Sequence, residues 1–233
     1  LLQQAGRRLL PALNDDALRF YNSSLDSLTR RNDNSSSLSL VFLLQELFRQ
    51  GKTRPGRLDP VVENRALLLV VGLYVNGHSI EPLLTGGAQG PVRPLPKQVV
   101  LQGRHDLAQH FSGSAALTAI GNRALADAAG LFKELDDSRK GSGFSFRDLA
   151  ADIAGARFGE AVTDPTPAAR RMEARIAAGL EDRDVMPETH DLPEYLSGSQ
   201  FERRFGGTDG SGYRKMREEI EQRVASCRLY RDS

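Results

Sequence analysis

The sequence predicts an all-α protein, a helical domain with a tightly packed central three-helix core (about 104–159) flanked by N- and C-terminal helices. Three observations point there. Apolar residues recur at three- and four-residue spacing through most of the chain. Stretches rich in Gly, Pro and Ser punctuate those periodic segments. No segment alternates apolar and polar residues as a half-buried strand would. At 233 residues the chain is long enough to bury a sizeable core. It reads as a single helical domain with N-terminal helices over 1–75, a linker loop over 76–100, the core over 101–160 and a C-terminal helical arm over 161–233.

The elements follow in order. The first thirty residues are helical and amphipathic, interrupted at Pro11. The polar turn "RNDNSSS" supplies capping serines for a helix from Leu38 to Gln50, stopped by Gly51. Asp59 as N-cap and Pro60 at the first helical position open a buried helix through Val75. Residues 76–100, rich in Gly and Pro, break the periodicity. Three helices follow, over 104–120, 123–138 and 146–159, the last opened by Ser145 and Asp148 in the manner of a capping box. After the joint "TDPTP" come a helix "AARRMEARIAAGLEDRD", a short helix near Phe201, a glycine-rich turn and a helix from Tyr213 to Cys227.

Composition narrows the function classes. Lys+Arg (31) and Asp+Glu (30) nearly balance, so net charge gives no case for nucleic acid or an anionic membrane. Trp is absent and aromatics are 6%, which argues against base- or sugar-stacking platforms. The single cysteine, Cys227, excludes an intramolecular disulfide and a multi-cysteine metal knuckle. The longest apolar run, Ala66 to Val75, is about half a membrane span, so no transmembrane segment is expected. The chain begins "LLQQAGRR" without methionine, as a removed leader would leave it.

The central helices carry the chemistry. At 100° per residue, Asp148, Asp152, Gly155 and Gly159 fall on one stripe about 60° wide. Asp106, His110, Gly113 and Leu117 share a stripe on the first central helix, and Asp127, Gly130 and Glu134 on the second. A helix glycine costs about 1 kcal/mol against alanine and needs a reason. Here the reason is close approach: Gly113, Gly130, Gly155 and Gly159 let backbones meet, and His110, Glu134, Asp148 and Asp152 are brought together. His105 points about 140° away from His110 around its helix and falls outside the cluster.

The pattern His110-Phe111, Lys133-Glu134 with Asp137 nearby, a Ser-Gly turn, and Asp148…Asp152…Gly155…Gly159 resembles the VanZ-like proteins. It is closer still to a group of small bacterial envelope proteins and predicted lipoproteins of unknown function. The resemblance covers residues 104–160. VanZ-like proteins are membrane-embedded, tend to carry a basic residue where this chain has Leu107, and Asn where it has Asp152, so insertion is not carried over. The resemblance implies an exported bacterial protein, periplasmic or otherwise in the envelope, whereas the free thiol on its own fits the cytosol.

Three readings of His110, Glu134, Asp137, Asp148 and Asp152 stay open. The first is a buried hydrogen-bond and ion-pair network fixing helix register, with Arg104, Lys133 or Arg157 as countercharge. The second is a divalent-metal site (Mn, Fe, Zn or Mg) on His110, Glu134, Asp148 and Asp152. The third is metal-free acid/base hydrolysis by two carboxylates with separated pKa values. The function expected is therefore a structural or binding role built on the cluster, against a metal-dependent or acid/base hydrolase acting on envelope material. Beyond a divalent metal, no cofactor signature occurs.

Elsewhere, "RKGSGFS" lacks the phosphate-loop spacing and "TDGSG" the calcium-loop pattern. Ser112 and Ser114 sit in no nucleophile elbow, and His78 and His190 read as surface residues. Cys227 reads as a buried thiol, and Tyr213, Met216, Ile220 and Val224 as a seam for the core or for a second subunit. A protein partner or self-association through the terminal helices is the expected mode of interaction.

Overall fold

Helix α1 (Asp15–Arg31) starts where Asn14, in extended backbone, accepts a 2.9 Å hydrogen bond from the Ala17 amide. Asp15 and Asp16 in its first turn and Arg30 and Arg31 in its last complement the helix dipole. The structure, a computed structural model, describes residues 13–32, 34–84, 90–121, 143–165 and 167–231. Pro11 and the predicted helix over 123–138, with Gly130, Lys133, Glu134 and Asp137, lie outside the described residues.

The helix predicted from Leu38 begins later. Ser37–Ser39 forms strand β1, paired in parallel with β2 (Gln98–Val100), Ser37 opposite Gln98 and Ser39 opposite Val100. Three-residue strands are too short to show alternation, which is why periodicity misses them. Ser39 then caps α2 (Leu40–Lys52) by accepting from the Phe42 amide at 3.2 Å. Asp59 caps α3 (Pro60–Val75) through the Val61 amide, with Pro60 at the first position as expected. The apolar run Ala66 to Val75 is buried almost all round.

After α3 comes a single 3₁₀ turn (Glu81–Leu83) and then a proline-rich strap over 90–97. Side chains, not a ladder, hold this strap. Asn22 donates to the Val92 carbonyl at 2.6 Å, and the Leu95 amide donates to Thr29 Oγ1 at 3.2 Å. The Tyr74 hydroxyl donates to the Leu95 carbonyl at 2.8 Å and accepts from the Lys97 amide at 3.0 Å.

Helix α4 (His105–Ile120) ends at Gly121, and α5 (Phe146–Thr163) opens with Ser145 accepting from the Asp148 amide at 3.2 Å. The helix predicted through Asp184 is two. It stops after α6 (Pro167–Ala178) because Gly179 takes φ 133°, and resumes as α7 (Asp182–Val185). Helix α8 (Gly198–Phe205) has a full capping box from Ser197 and Gln200, and α9 (Ser211–Ala225) closes the chain's helices.

The architecture is all-α with a packed central core, as predicted; α4 and α5 are the described members of the predicted core, and α3, expected among the flanking N-terminal helices, packs into it as well. Helices α4 and α5 run parallel and form the most extensive helix pair. Helix α3 lies antiparallel on α4: Arg65 Nε donates to the Ala119 carbonyl at 2.9 Å, and Asn76 reaches the Gln109 carbonyl at 3.4 Å at the other end. Helix α1 packs on α3, α2 on α6, and α9 on α5. The predicted α9 seam docks on the chain's own core: Ile220 and Val224 are buried, and Tyr213 and Met216 pack against them. Tyr213 joins an aromatic group in which Phe144 stacks on Phe201 at 3.9 Å and Phe146 meets Phe205 at 4.7 Å. Among the described residues, no helix is long and apolar enough to cross a membrane.

Candidate functional site

Two glycines set the site. A Cβ on Gly155 would stand 2.1 Å from the Phe111 carbonyl oxygen and 2.9 Å from the Phe111 Cα. One on Gly159 would stand 2.6 Å from the Ala115 oxygen. Both contacts are to backbone, so α5 lies against α4 at a distance that only glycine permits. A turn N-terminal on the same α5 stripe come Asp152 and Asp148, and on α4 the facing side chains are His110 and Ser114. Acids and glycines therefore share one face because both serve the α4–α5 seam.

His110 is held between the two aspartates. Its Nδ1 lies 3.2 Å from both carboxylate oxygens of Asp152, and its Nε2 lies 3.6 Å from Asp148 Oδ2. Ser114 donates to Asp152 Oδ1 at 2.7 Å. A carboxylate only accepts, so the ring donates from Nδ1 to Asp152. The Nε2 contact with Asp148, at 3.6 Å, is longer than a hydrogen bond. Burial dominates at Asp148 and holds its carboxyl above the usual carboxylate range. The Asp106 carboxylate pushes the same way, while His110, Ser145 and Arg104 oppose it. Asp148 Oδ1 is buried without a hydrogen-bond partner among the described residues. The cluster is only part-covered: side-chain exposure is 14% for His110, 22% for Asp148 and 39% for Asp152.

Charged neighbours frame it. Arg104 forks Asp106 through Nε at 3.1 Å and Nη2 at 2.5 Å, and reaches Glu194 at 2.7 Å. Arg147 meets the other oxygen of Glu194 at 3.0 Å. Of the countercharges expected from sequence, Arg104 is thus committed to Asp106 and Glu194, and Arg157 pairs with Glu160 at 3.7 Å and lies over the Tyr230 ring. Glu194 comes from the loop before α8, and nothing in its sequence context marks it.

The structure corrects several expectations. His110, Asp148 and Asp152 do come together, but Asp152 faces Nδ1 and Asp148 faces Nε2. Carboxylates on opposite ring nitrogens do not share one ion with that ring. Among the described residues no group of three His, Cys, Asp or Glu side chains could hold a metal. Glu134 and Asp137, the other cluster candidates, lie outside the described residues. Gly113 is not a close-packing glycine against any described neighbour, since its Cβ would meet Asn76 Nδ2 at an ordinary 3.7 Å. The glycine that brings α3 onto α4 is Gly72, whose Cβ would meet Ala116 Cβ at 2.7 Å. Ser114, which the sequence placed in no nucleophile elbow, belongs to the cluster and donates to Asp152. His78 is half-buried in a cleft wall, whereas His190 is exposed as expected. Cys227 is buried, and burial pushes its thiol up to about 11, consistent with an inert side chain.

A second polar group escaped sequence reading. Glu63, inside α3, is fully buried and accepts from Arg54, the Leu58 amide and the Tyr21 hydroxyl. Burial alone would raise its carboxyl, but the Arg54 fork and these donors hold it below the usual range. The acidic residue in the first turn of a buried helix was the available signal.

No known protein family model, curated protein or solved structure matches the chain.

Proposed function

We propose that this chain is a bacterial envelope-associated protein with a structural or binding role, in which His110, Asp148, Asp152 and Ser114 lock α4 and α5 in register. The observation that carries the reading is the continuity of the seam. The polar cluster lies on the same stripe as Gly155 and Gly159, one turn further toward the helix start, and its partners lie on the same stripe of α4. A polar lock at one end of a glycine contact fixes axial register, which apolar packing alone leaves free to slide. The envelope setting rests on the resemblance of the 104–160 pattern to VanZ-like and related envelope proteins.

The test is His110→Ala, which leaves two aspartates facing each other without the ring. For a part-exposed cluster the expected loss is about 1–3 kcal/mol by urea denaturation, below the 3–5 typical of a sealed ion pair. A variant as stable as the parent at neutral pH would overturn the reading.

One observation favours a second reading, an acid/base hydrolase acting on envelope material. Asp148 is held above the usual carboxylate range while Asp152, the more exposed partner, accepts from the ring and from Ser114. Separated acids of this kind suit a proton donor and a base. Hydrolysis of envelope material by the parent, lost in a folded and fully stable Asp148→Asn protein, would move the conclusion to that reading.

A further inference from the structure

A cleft of about 690 Å³ opens on the other face of α4 and includes no residue of the His110 cluster. The strap over 90–97 forms one wall, and the C-terminal half of α3 with the start of α4 forms the rest. Its volume falls in the range of small-molecule sites. Val70, Val75, Ile80 and Val92 supply an apolar floor and rim, with Pro94 and Pro96 beside them.

The polar lining is selective. Among the described residues no Asp or Glu lines the cleft, and Arg93, paired with Glu81 at 3.7 Å, and Lys97, bonded to the Ser35 carbonyl at 2.8 Å, stand at it. A cationic ligand therefore meets an excess of positive charge, two cations against the one carboxylate of Glu81. His105 fixes the remaining chemistry. Its Nδ1 lies 2.7 Å from the Val99 carbonyl oxygen, an atom that only accepts, so Nδ1 carries the proton. In the neutral ring Nε2 is then an acceptor, and among the described residues it has no partner. The ring forms part of the cleft wall, so an occupant that satisfies this atom must itself donate.

We propose that this cleft binds a small uncharged amphipathic molecule, an aliphatic or aromatic body ending in a hydroxyl that donates to His105 Nε2. The strap's anchoring by Asn22, Thr29 and Tyr74 holds the apolar wall in place before the ligand arrives. Preformed walls reduce the ordering cost of binding.

The probes are 1-hexanol, hexyl methyl ether and hexylammonium, titrated into the full chain by ligand-observed NMR. Hexanol binds saturably. The ether, which accepts but cannot donate, binds about fivefold more weakly, the value of one net hydrogen bond near 1 kcal/mol. Hexylammonium is weaker still. His105→Phe removes the difference between alcohol and ether. Because that change also costs the Val99 contact, Val92→Trp is the second variant: its native residue is 49% exposed, so the fold tolerates it while the indole fills the cleft mouth. Val92→Trp abolishes hexanol binding with unchanged circular dichroism. The proposal is overturned by no saturable hexanol binding, by an ether or ammonium that binds as well as the alcohol, or by undiminished binding to Val92→Trp. None of these outcomes bears on the α4–α5 lock.

Discussion

Gly155→Ala tests the α4–α5 seam most directly. The added Cβ would stand 2.1 Å from the Phe111 oxygen, 2.8 Å from its carbonyl carbon and 2.9 Å from its Cα. All three are backbone atoms inside a helix, so no rotamer change relieves the clash and the helices must separate. Reaching ordinary van der Waals distance from the oxygen takes more than about 1 Å, and a gap of that size forfeits about half of each dispersion contact along the seam. Overpacking of this kind costs about 1–3 kcal/mol, and more where only backbone can move. Alanine returns about 1 kcal/mol in helix propensity. Taken from the upper end of that range, the net expectation is a loss of about 2 kcal/mol, which for a chain of this length lowers Tm by about 4–8 °C. Gly198→Ala is the control, since a Cβ there would stand in open space at the first position of α8 and the variant should be neutral or gain a few tenths of a kcal/mol, about half or less of the interior value. Urea denaturation and calorimetry of the two read the contrast. A Gly155→Ala protein as stable as Gly198→Ala would show that α4 and α5 do not meet at this distance, and the account of why acids and glycines share a face would fall with it.

Three further expectations follow from other contacts. Arg54→Met leaves the fully buried Glu63 uncompensated and should cost about 3–5 kcal/mol, part of it recovered in the Arg54→Met, Glu63→Met double variant; a loss below about 1 kcal/mol in urea would contradict the burial of the pair. Asp148 has a folded pKa above its unfolded one, so ionising it works against folding: its neutral form is favoured at low pH and that benefit fades as pH rises through the folded value. Asp148→Asn should therefore gain stability relative to the parent between acidic and neutral pH, and a relative gain that grows toward low pH in paired melting curves would reverse the sign. Cys227, with its thiol raised to about 11, should react with a water-soluble disulfide reagent only as fast as the protein opens; rapid labelling in the absence of denaturant would refute its burial.

What sequence reading recovers and what it misses divide along physical lines. Helix starts with a chemical cap were legible: Asp59-Pro60 and Ser145 open α3 and α5 where predicted. The pairing of α4 with α5 was legible too, because a glycine stripe on a helix face requires a close neighbour, and Asp152 with His110 lie on that face. Contacts between residues far apart in the chain were not. Glu194 reaches Arg104 from a loop whose path depends on the aromatic group around Phe144 and Phe201. Glu63 showed in sequence only as an acid in the first turn of a buried helix, and its partners Arg54 and Tyr21 close over it only in the fold. Gly72 sat in an apolar run and carried no visible stripe, yet its contact with Ser112 and Ala116 decides how α3 meets α4. Gly113 shows the converse, a glycine on the right stripe with no described backbone near enough to demand it.

The proline-rich strap over 90–97 has a consequence of its own. Prolines offer no amide donor, so the segment needs few partners; its backbone is held by Asn22, Thr29 and Tyr74, and its side chains add Lys97 to the Ser35 carbonyl and Arg93 to Glu81. Held by side chains worth about 1 kcal/mol per bond, it is separable from a fold whose global stability is on the order of 5–15 kcal/mol. Local opening of the strap is thus a cheaper fluctuation than any that breaks α3 from α4. Amide exchange would sort the molecule into two tiers, with Leu95 and Lys97 in the fast one and the α3–α4–α5 interior in the slow one.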